Sequence, residues 1–275
     1  MQEQVFEGRV AVSLEPGGVA SVMLRRPEKM NALDVAMFKG LAAAGAWLRE
    51  AAGLRAVVLA GEGKAFCAGL DMANFEGLLR GQALDPALGR LAERSHGQAN
   101  LPQHVCWQWR TLEVPVVAAL HGVALGGGLQ LALGADVRLV APDARLSVRE
   151  MHWGLVPDMA GMALLRELVR ADIARELVFS GRMVQAQEAC QIGLATRIAP
   201  EPLAQALELA RQMAGFSPQA MRAAKRLLNS TADASAGDLL LAESLEQLQL
   251  LGGAEQREAV LAGLEKRPPV FRDAS

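Results

Sequence analysis

The sequence predicts an α/β protein whose core alternates strands and helices over residues 1–200, followed by a helical region at 201–275. Three observations carry that reading. Short apolar runs flank turn residues early in the chain. Two further apolar runs, at 55–60 and 116–125, empty into glycine-rich loops. From Ala160 onward, helical periodicity is nearly continuous.

Taken in order, Val10–Leu14 and Val19–Leu24 surround Pro16-Gly17-Gly18 and read as a β-hairpin. Asn31 or Asp34 is placed to cap a helix, rich in Ala and Leu, that runs through Ala51 and stops at Gly53. Residues 55–60 read as a buried strand and 61–69 as a loop. The stretch 72–111 is partly helical, broken by Gly77, Gly81 and Asp85-Pro86. The run VVAALHGVAL then passes through Gly126-Gly127-Gly128 into the helical pattern LQLALGA, giving a strand at 116–119 and a helix at 127–135. Short strands follow at 137–140 and 145–148. Helices are expected at 160–170, 172–180, 186–192, 202–215, 218–230, 236–250 and 254–265.

Composition removes several function classes. The chain has 275 residues, enough for a sizeable core, and 51% of them are hydrophobic. A net charge of −2 with no basic block leaves no electrostatic footprint for nucleic acid or an anionic membrane surface. No apolar run reaches the roughly 18 residues that span a bilayer. The N-terminal MQEQVFEGRV has no apolar core of a signal peptide. Cys67, Cys106 and Cys190 lie far apart without CxxC spacing, which fits free thiols in a reducing cytoplasm. His96, His104, His121 and His152 show no metal-ligand spacing, and no GxGxxG or GxxxxGK[ST] is present.

The glycine run carries the chemistry. Glycine lets a backbone approach a ligand with no Cβ in the way, and a helix start leaves N–H groups unpaired. The loop after the strand at 55–60, Ala65-Phe66-Cys67-Ala68-Gly69-Leu70-Asp71, offers a second backbone N–H, read here as that of Ala68. Two such donors, from Ala68 and Gly127, aimed at one point would form an oxyanion hole.

Six segments, in this order, are similar to the crotonase superfamily, the enoyl-CoA hydratase and isomerase group. They are Arg26-Pro27-x-x-x-Asn31-Ala32-Leu33, the 65–71 segment, His121-Gly122 with Gly126-Gly127-Gly128, Ala135-Asp136-Val137-Arg138, Gly154-Leu155-Val156-Pro157, and Glu265-Lys266-Arg267-x-Pro269-x-Phe271. The resemblance implies a spiral of ββα turns with C-terminal helices that build a homotrimer or a hexamer. It implies acyl-CoA thioesters as substrates, with coenzyme A part of the substrate and no permanently bound cofactor. It also suggests Lys29, Ala65, Ala68, Leu70 and Lys266 as contacts for that substrate.

By the same resemblance, two positions hold the carboxylates that activate water in hydratases. Here they are Gln130 and Glu150, so one acid is replaced by an amide that cannot exchange a proton at neutral pH. Asp158, following Gly154-Leu155-Val156-Pro157, makes a Glu150/Asp158 pair similar to that of dienoyl-CoA isomerases, which usually carry a third acid where this chain has Gln130. Moving a double bond needs proton removal at one carbon and delivery at another, which two carboxyls with separated pKa values can supply. The resemblance therefore favours isomerisation by Glu150 and Asp158. The alternatives are hydration led by Glu150 and a non-catalytic acyl-CoA-binding subunit.

Other residues carry plainer expectations. Cys67 reads as a small buried residue, because no His or acid accompanies it. Asp71 is expected to fix its loop through backbone bonds, and Asp136 and Arg138 to be structural. Asp158 is also placed to cap a helix near Ala160, and Glu150 to pair with Arg149. Met72, Phe75, Trp107 and Trp109 are candidates for an acyl pocket, with core packing as the competing role.

Overall fold

A computed structural model describes residues 3–80, 85–232 and 234–271, without the side chains at 74, 75, 77, 78, 87 and 89. The expectations for Gly81 and for the Phe75 side chain lie outside that set.

The chain begins with a meander of β1 (Glu3–Phe6), β2 (Val10–Leu14) and β3 (Val19–Leu24), paired antiparallel. After a 3-10 turn at Pro27–Lys29 comes α1 (Val35–Glu50). Its cap is Asp34, whose carboxylate accepts from the Met37 N–H at 2.8 Å. Then follow β4 (Ala56–Gly61), α2 (Met72–Leu79), α3 (Pro86–Gly89) and α4 (Leu101–Thr111), the last opened by an Asn100–Gln103 capping box. Among its described residues, the long stretch expected to be partly helical holds three separate helices, and Gly77 does not break the first of them, since α2 runs through it to Leu79.

The apolar run at 116–125 is not one strand. It divides at His121-Gly122, where Gly122 has φ +60°, into β5 (Val116–Leu120) and β6 (Val123–Leu125). Next come α5 (Gly127–Leu133), β7 (Val137–Val140), β8 (Arg145–Ser147) and a 3-10 turn at Glu150–Trp153. The remaining elements are α6 (Gly161–Leu165), α7 (Ala171–Ser180), β9 (Val184–Gln185), α8 (Ala186–Gln191), β10 (Arg197–Ile198), α9 (Pro202–Ala214), α10 (Pro218–Ser230), α11 (Ala236–Leu250) and α12 (Ala254–Glu265). The helix expected over 160–170 is only α6, because the chain past Leu165 closes in tight turns, Glu167 onto Leu164 and Leu168 onto Leu165.

Two sheets form. The larger runs β1-β2-β3-β4-β5-β7-β10, parallel from β3 onward, and the smaller runs β6-β8-β9. Single bridges, Leu33 to Leu70 and Cys67 to Ala124, place residues 33 and 67–70 beside the smaller sheet. Each turn of chain therefore gives one strand to the large sheet, a short extended piece to the second layer, and in most turns a helix: β3, Leu33, α1; β4, 67–70, α2; β5, β6, α5; β7, β8. This is the ββα spiral expected from the motifs. Its loops leave the carboxyl ends of β4 and β5 and meet in the second layer, which is where open parallel sheets place their sites.

The main core lies between the layers, with Phe38, Phe66 and Trp109 at most 2% exposed. A second cluster lies on the opposite face of the large sheet. There Ala206, Ala210 and Ala214 of α9 recur every four residues and let the helix lie close to β4 and β5. The helical region expected from 201 is thus joined to the core through α9. Lys225 of α10 adds a buried tie, its Nζ donating to Asp136 Oδ2 (2.7 Å) and to the carbonyls of Trp109 and Val114. Arg138 donates to the Leu194 and Ala135 carbonyls, which accounts for the Ala135–Arg138 motif as structural.

Candidate active site

Asn31 joins the two loops that frame the site. It is fully buried with φ +55°, a conformation asparagine tolerates better than most residues. Its Oδ1 accepts from the Arg26 N–H at 2.8 Å, and its Nδ2 donates to the carbonyls of Glu62, Ala65 and Phe66 at 2.9, 2.9 and 3.2 Å. Arg26 in turn donates to Asp71 Oδ2 at 2.5 Å, and Asp71 Oδ1 accepts from the Ala73 N–H at the start of α2. Burial opposes ionisation of Asp71, but the Ala73 amide, Arg26 and Lys29 outweigh it and hold the carboxyl below its ordinary value. Asp71 therefore fixes the loop, as expected. Cys67 is fully buried, donates to the Asn31 carbonyl at 3.1 Å and is pushed up to about 12 by burial, so no thiolate is at hand.

With the loop fixed, its donors can be traced. The Ala68 N–H donates to the Met30 carbonyl at 2.9 Å, so the donor expected there is already engaged inside the fold. Leu33 and Leu70 are paired as in a parallel ladder: Leu33 N–H donates to Gly69 O (2.7 Å) and Asp71 N–H to Leu33 O (3.0 Å). That pairing turns the Leu70 N–H to the other side, where residues 123–127 run, and it meets no acceptor among the described residues. The correction to Ala68 is a shift of two residues along the same loop.

Gly127 is the first residue of α5, and its N–H likewise has no acceptor among the described residues. The two segments touch closely. A Cβ on Gly69 would lie 2.6 Å from the Leu125 carbonyl and 3.7 Å from the Gly127 nitrogen, so only glycine fits there. Gly126 has φ +50° and ψ −122°, a region closed to L side chains, and this turn swings β6 into α5 directly against Glu150. A Cβ at Gly126 would sit 3.3 Å from Glu150 Oε1.

Glu150 opens the 3-10 turn rather than ending a strand, and it is 8% exposed. Its Oε1 accepts from Gln130 Nε2 at 2.6 Å, while Oε2 is buried with no hydrogen-bond partner among the described residues. The expected pairing with Arg149 is absent among its described contacts. Burial first, and the nearby Asp158 second, push the Glu150 carboxyl above its ordinary value against the pull of backbone amides and Gln130. Gln130 Oε1 accepts from both the Met159 and Gly161 N–H groups at 2.9 Å. The amide therefore bridges Glu150 and the loop that carries Asp158.

Asp158 caps nothing: the residue before α6 is Ala160, at φ +65°, with no side-chain cap. Surrounding protein raises the Asp158 carboxyl as well. The side chain nevertheless keeps an open face to solvent, so the rise is held in check by water. Two acids with raised proton affinity thus flank one amide, next to two free backbone donors. Such a group can take a proton, give one back and stabilise an oxyanion.

The remaining expected residues are dispersed. Ala65 is buried with its carbonyl bound to Asn31. Lys29 is exposed near Asp71. Lys266 ends α12 in a left-handed conformation. The segment after it is anchored at Glu258 and at Arg55, which donates to the Phe271 carbonyl just ahead of β4, the strand end away from the 65–71 loop. No described contact joins Lys266 to that loop. Trp109 is core, Trp107 stacks under Arg110, and Met72 is 47% exposed. A cleft of about 190 Å³ lined by Arg49, Glu113 and Arg222 also lies at the amino ends of β4 and β5, and it holds none of these groups. The donors and acids lie at the other end of the sheet, at the carboxyl ends of β4 and β5. The sequence marks Asn31 only as a possible cap and Leu70 only as a substrate contact; the joint made by Asn31 and the roles of the Leu70, Met159 and Gly161 amides depend on partners far along the chain, and the RP-x-x-x-NAL motif is the available signal for Asn31.

The chain is similar to known proteins over nearly its whole length. The family model for enoyl-CoA hydratase/isomerase matches residues 15–274. The chain is 31% identical over 265 residues to a "Probable enoyl-CoA hydratase" of Bacillus subtilis, covering 95% of this chain and 98% of that one. It is 27% identical over 265 residues to the Delta(3,5)-Delta(2,4)-dienoyl-CoA isomerase of Dictyostelium discoideum, covering 92% and 87%. The crystal structure of an enoyl-CoA hydratase from Bacillus anthracis superposes with a TM-score of 0.85 at 29% identity, covering 96% of this chain and 98% of that one.

Proposed function

From the premise that the chain belongs to the enoyl-CoA hydratase/isomerase family, we propose that it moves a double bond in an unsaturated acyl-CoA through a thioester enolate, with Glu150 as base and Asp158 as acid. The Leu70 and Gly127 N–H groups bind the thioester oxygen, taking the role first assigned to Ala68 and Gly127. Each such donor is worth about 10²–10³ in rate. Glu150 Oε2, buried and without a partner, removes the α-proton. The resulting extended enolate picks up a proton at its far end from Asp158, and solvent returns the proton from Glu150 to Asp158. The single observation carrying this reading is that the position between the two acids is an amide already committed on both sides.

A second reading, hydration led by Glu150, is favoured by the hydratase names of the Bacillus relatives and by the same Oε2, which has no protein partner among the described residues and can accept from a water. Both readings take coenzyme A as part of the substrate, with Lys29 and Lys266 as proposed contacts for its phosphates. Lys266 would reach them from a neighbouring copy. Leu240, Leu241, Leu245 and Leu248 of α11 are all more than half exposed, which supports self-assembly into a homotrimer through the C-terminal helices.

The deciding experiment follows ultraviolet absorbance with crotonyl-CoA and with a 3,5-dienoyl-CoA of the class named for the Dictyostelium relative. Conversion of the diene to a product conjugated with the thioester carbonyl, with the crotonyl band unchanged, supports isomerisation. Loss of the crotonyl band overturns it in favour of hydration.

A further inference from the structure

We propose that Gln130 is a positioning residue with two separable duties: its nitrogen holds Glu150 as a hydrogen-bond acceptor, and its oxygen pins the loop that carries Asp158. The inference rests on the roles given to Glu150 and Asp158 above and says what keeps them distinct.

The amide can face only one way. Its oxygen receives two backbone N–H groups, those of Met159 and Gly161, and a nitrogen cannot stand there because both neighbours are donors. The nitrogen is therefore the atom 2.6 Å from Glu150 Oε1, and Oε1 must accept. Any proton on Glu150 is confined to Oε2, the oxygen without a partner. Gly161 shows how closely the loop is drawn in: a Cβ there would lie 2.5 Å from the Gln130 oxygen. Gln130 itself is 2% exposed, so water does not compete for these bonds.

The other groups that bear on Glu150 are few. From its own loop comes Asp158, whose charge raises the Glu150 carboxyl. From α4 comes the Cys106 thiol, pushed up first by burial and then by Cys67, Asp158 and Glu150, and therefore neutral. Gln130 is the group on α5.

A glutamate at 130 separates the two duties. One carboxylate oxygen would still accept from Met159 and Gly161, and the loop would stay in place. The other would meet Glu150 Oε1 where the amide donated, and two carboxyl oxygens at that distance must share a proton. The site would then hold a proton-sharing pair in place of a lone base.

Two readouts test this. The first is a ¹³C NMR titration of glutamate carboxyls, the Glu150 signal being identified by its loss in Glu150→Gln. The second is exchange of the α-protons of butanoyl-CoA with D2O, followed against pH. In Gln130→Glu we expect the Glu150 titration and the acid limb of exchange to move to higher pH, the midpoint proton concentration falling tenfold or more, with KM within twofold. In Gln130→Met we expect KM to rise, because the loop amides lose their acceptor. In the wild-type protein, the Gln130 side-chain NH2 signal is expected to shift as Glu150 titrates, and Glu150→Gln to abolish that shift. An unmoved NH2 signal, or a Gln130→Glu titration matching wild type, overturns the proposal. A shifted titration with no exchange in wild type leaves Gln130's hold on Glu150 standing and removes the proposed base role instead.

Discussion

Leu33 and Leu70, thirty-seven residues apart in the chain, pair as one rung of a parallel ladder, and this rung decides which amide of the 65–71 loop is free. Leu33 engages Gly69 O and the Asp71 N–H, so Leu70 presents its N–H to the opposite side, toward Gly127. Asn31, two residues before Leu33, holds the other half of the same loop by its carbonyls. The site is thus set by backbone pairing first and by acids second.

Glu150→Gln should remove the base while keeping an oxygen that accepts from Gln130. We expect turnover to fall about 10²–10⁴-fold with unchanged far-ultraviolet circular dichroism. Turnover within tenfold of wild type would exclude Glu150 as base.

The same variant should be more stable than wild type at neutral pH. Glu150 has its folded value raised above its ordinary 4.5, so the folded state holds the extra proton and stability falls as pH rises through that window. An uncharged amide in its place carries no such penalty. The Tm of Glu150→Gln should exceed that of wild type at about pH 7 and match it below about pH 4. A lower Tm at neutral pH would mean that burial of Glu150 is not strained.

Asp158→Asn should divide the reaction. Exchange of the α-proton, which needs Glu150 and the two amides, continues, whereas delivery to the distant carbon stops. The wild-type rate should be bell-shaped in pH, its two limbs reporting the macroscopic titrations of the Glu150/Asp158 pair. Equal loss of exchange and isomerisation in Asp158→Asn would argue that the two acids act as one unit.

Asn31→Ala would leave the Arg26 N–H and three carbonyls without their partner, on a backbone that alanine dislikes. At roughly 3 kcal/mol or more, Tm should drop by about 6–12 °C, with KM raised. A differential scanning trace within about 2 °C of wild type would contradict its place as the joint.

Much of this was readable from residues alone. The Pro16-Gly17-Gly18 hairpin and the Asp34 cap follow from local turn and capping chemistry, and both stand as expected. The corner at Gly122 did not show, because the apolar run is continuous on either side of it and periodicity cannot register a change of sheet. Strands β9 and β10, two residues each, exist only through their partners. At the site, the glycine run and Glu150 were legible as types. That Ala68 is engaged and Leu70 is free depends on a partner at Leu33, and the commitments of Gln130 depend on Met159 and Gly161. Those are long-range pairings with no local signature.

A crystal structure of the Glu150→Gln variant with a bound unsaturated acyl-CoA bears most directly on the whole account. The thioester oxygen should lie about 2.7–3.1 Å from both the Leu70 and Gly127 nitrogens, with the side chain at 150 beside the α-carbon. A thioester oxygen that reaches neither nitrogen, or an acyl chain bound in the Arg49–Arg222 cleft, would contradict it.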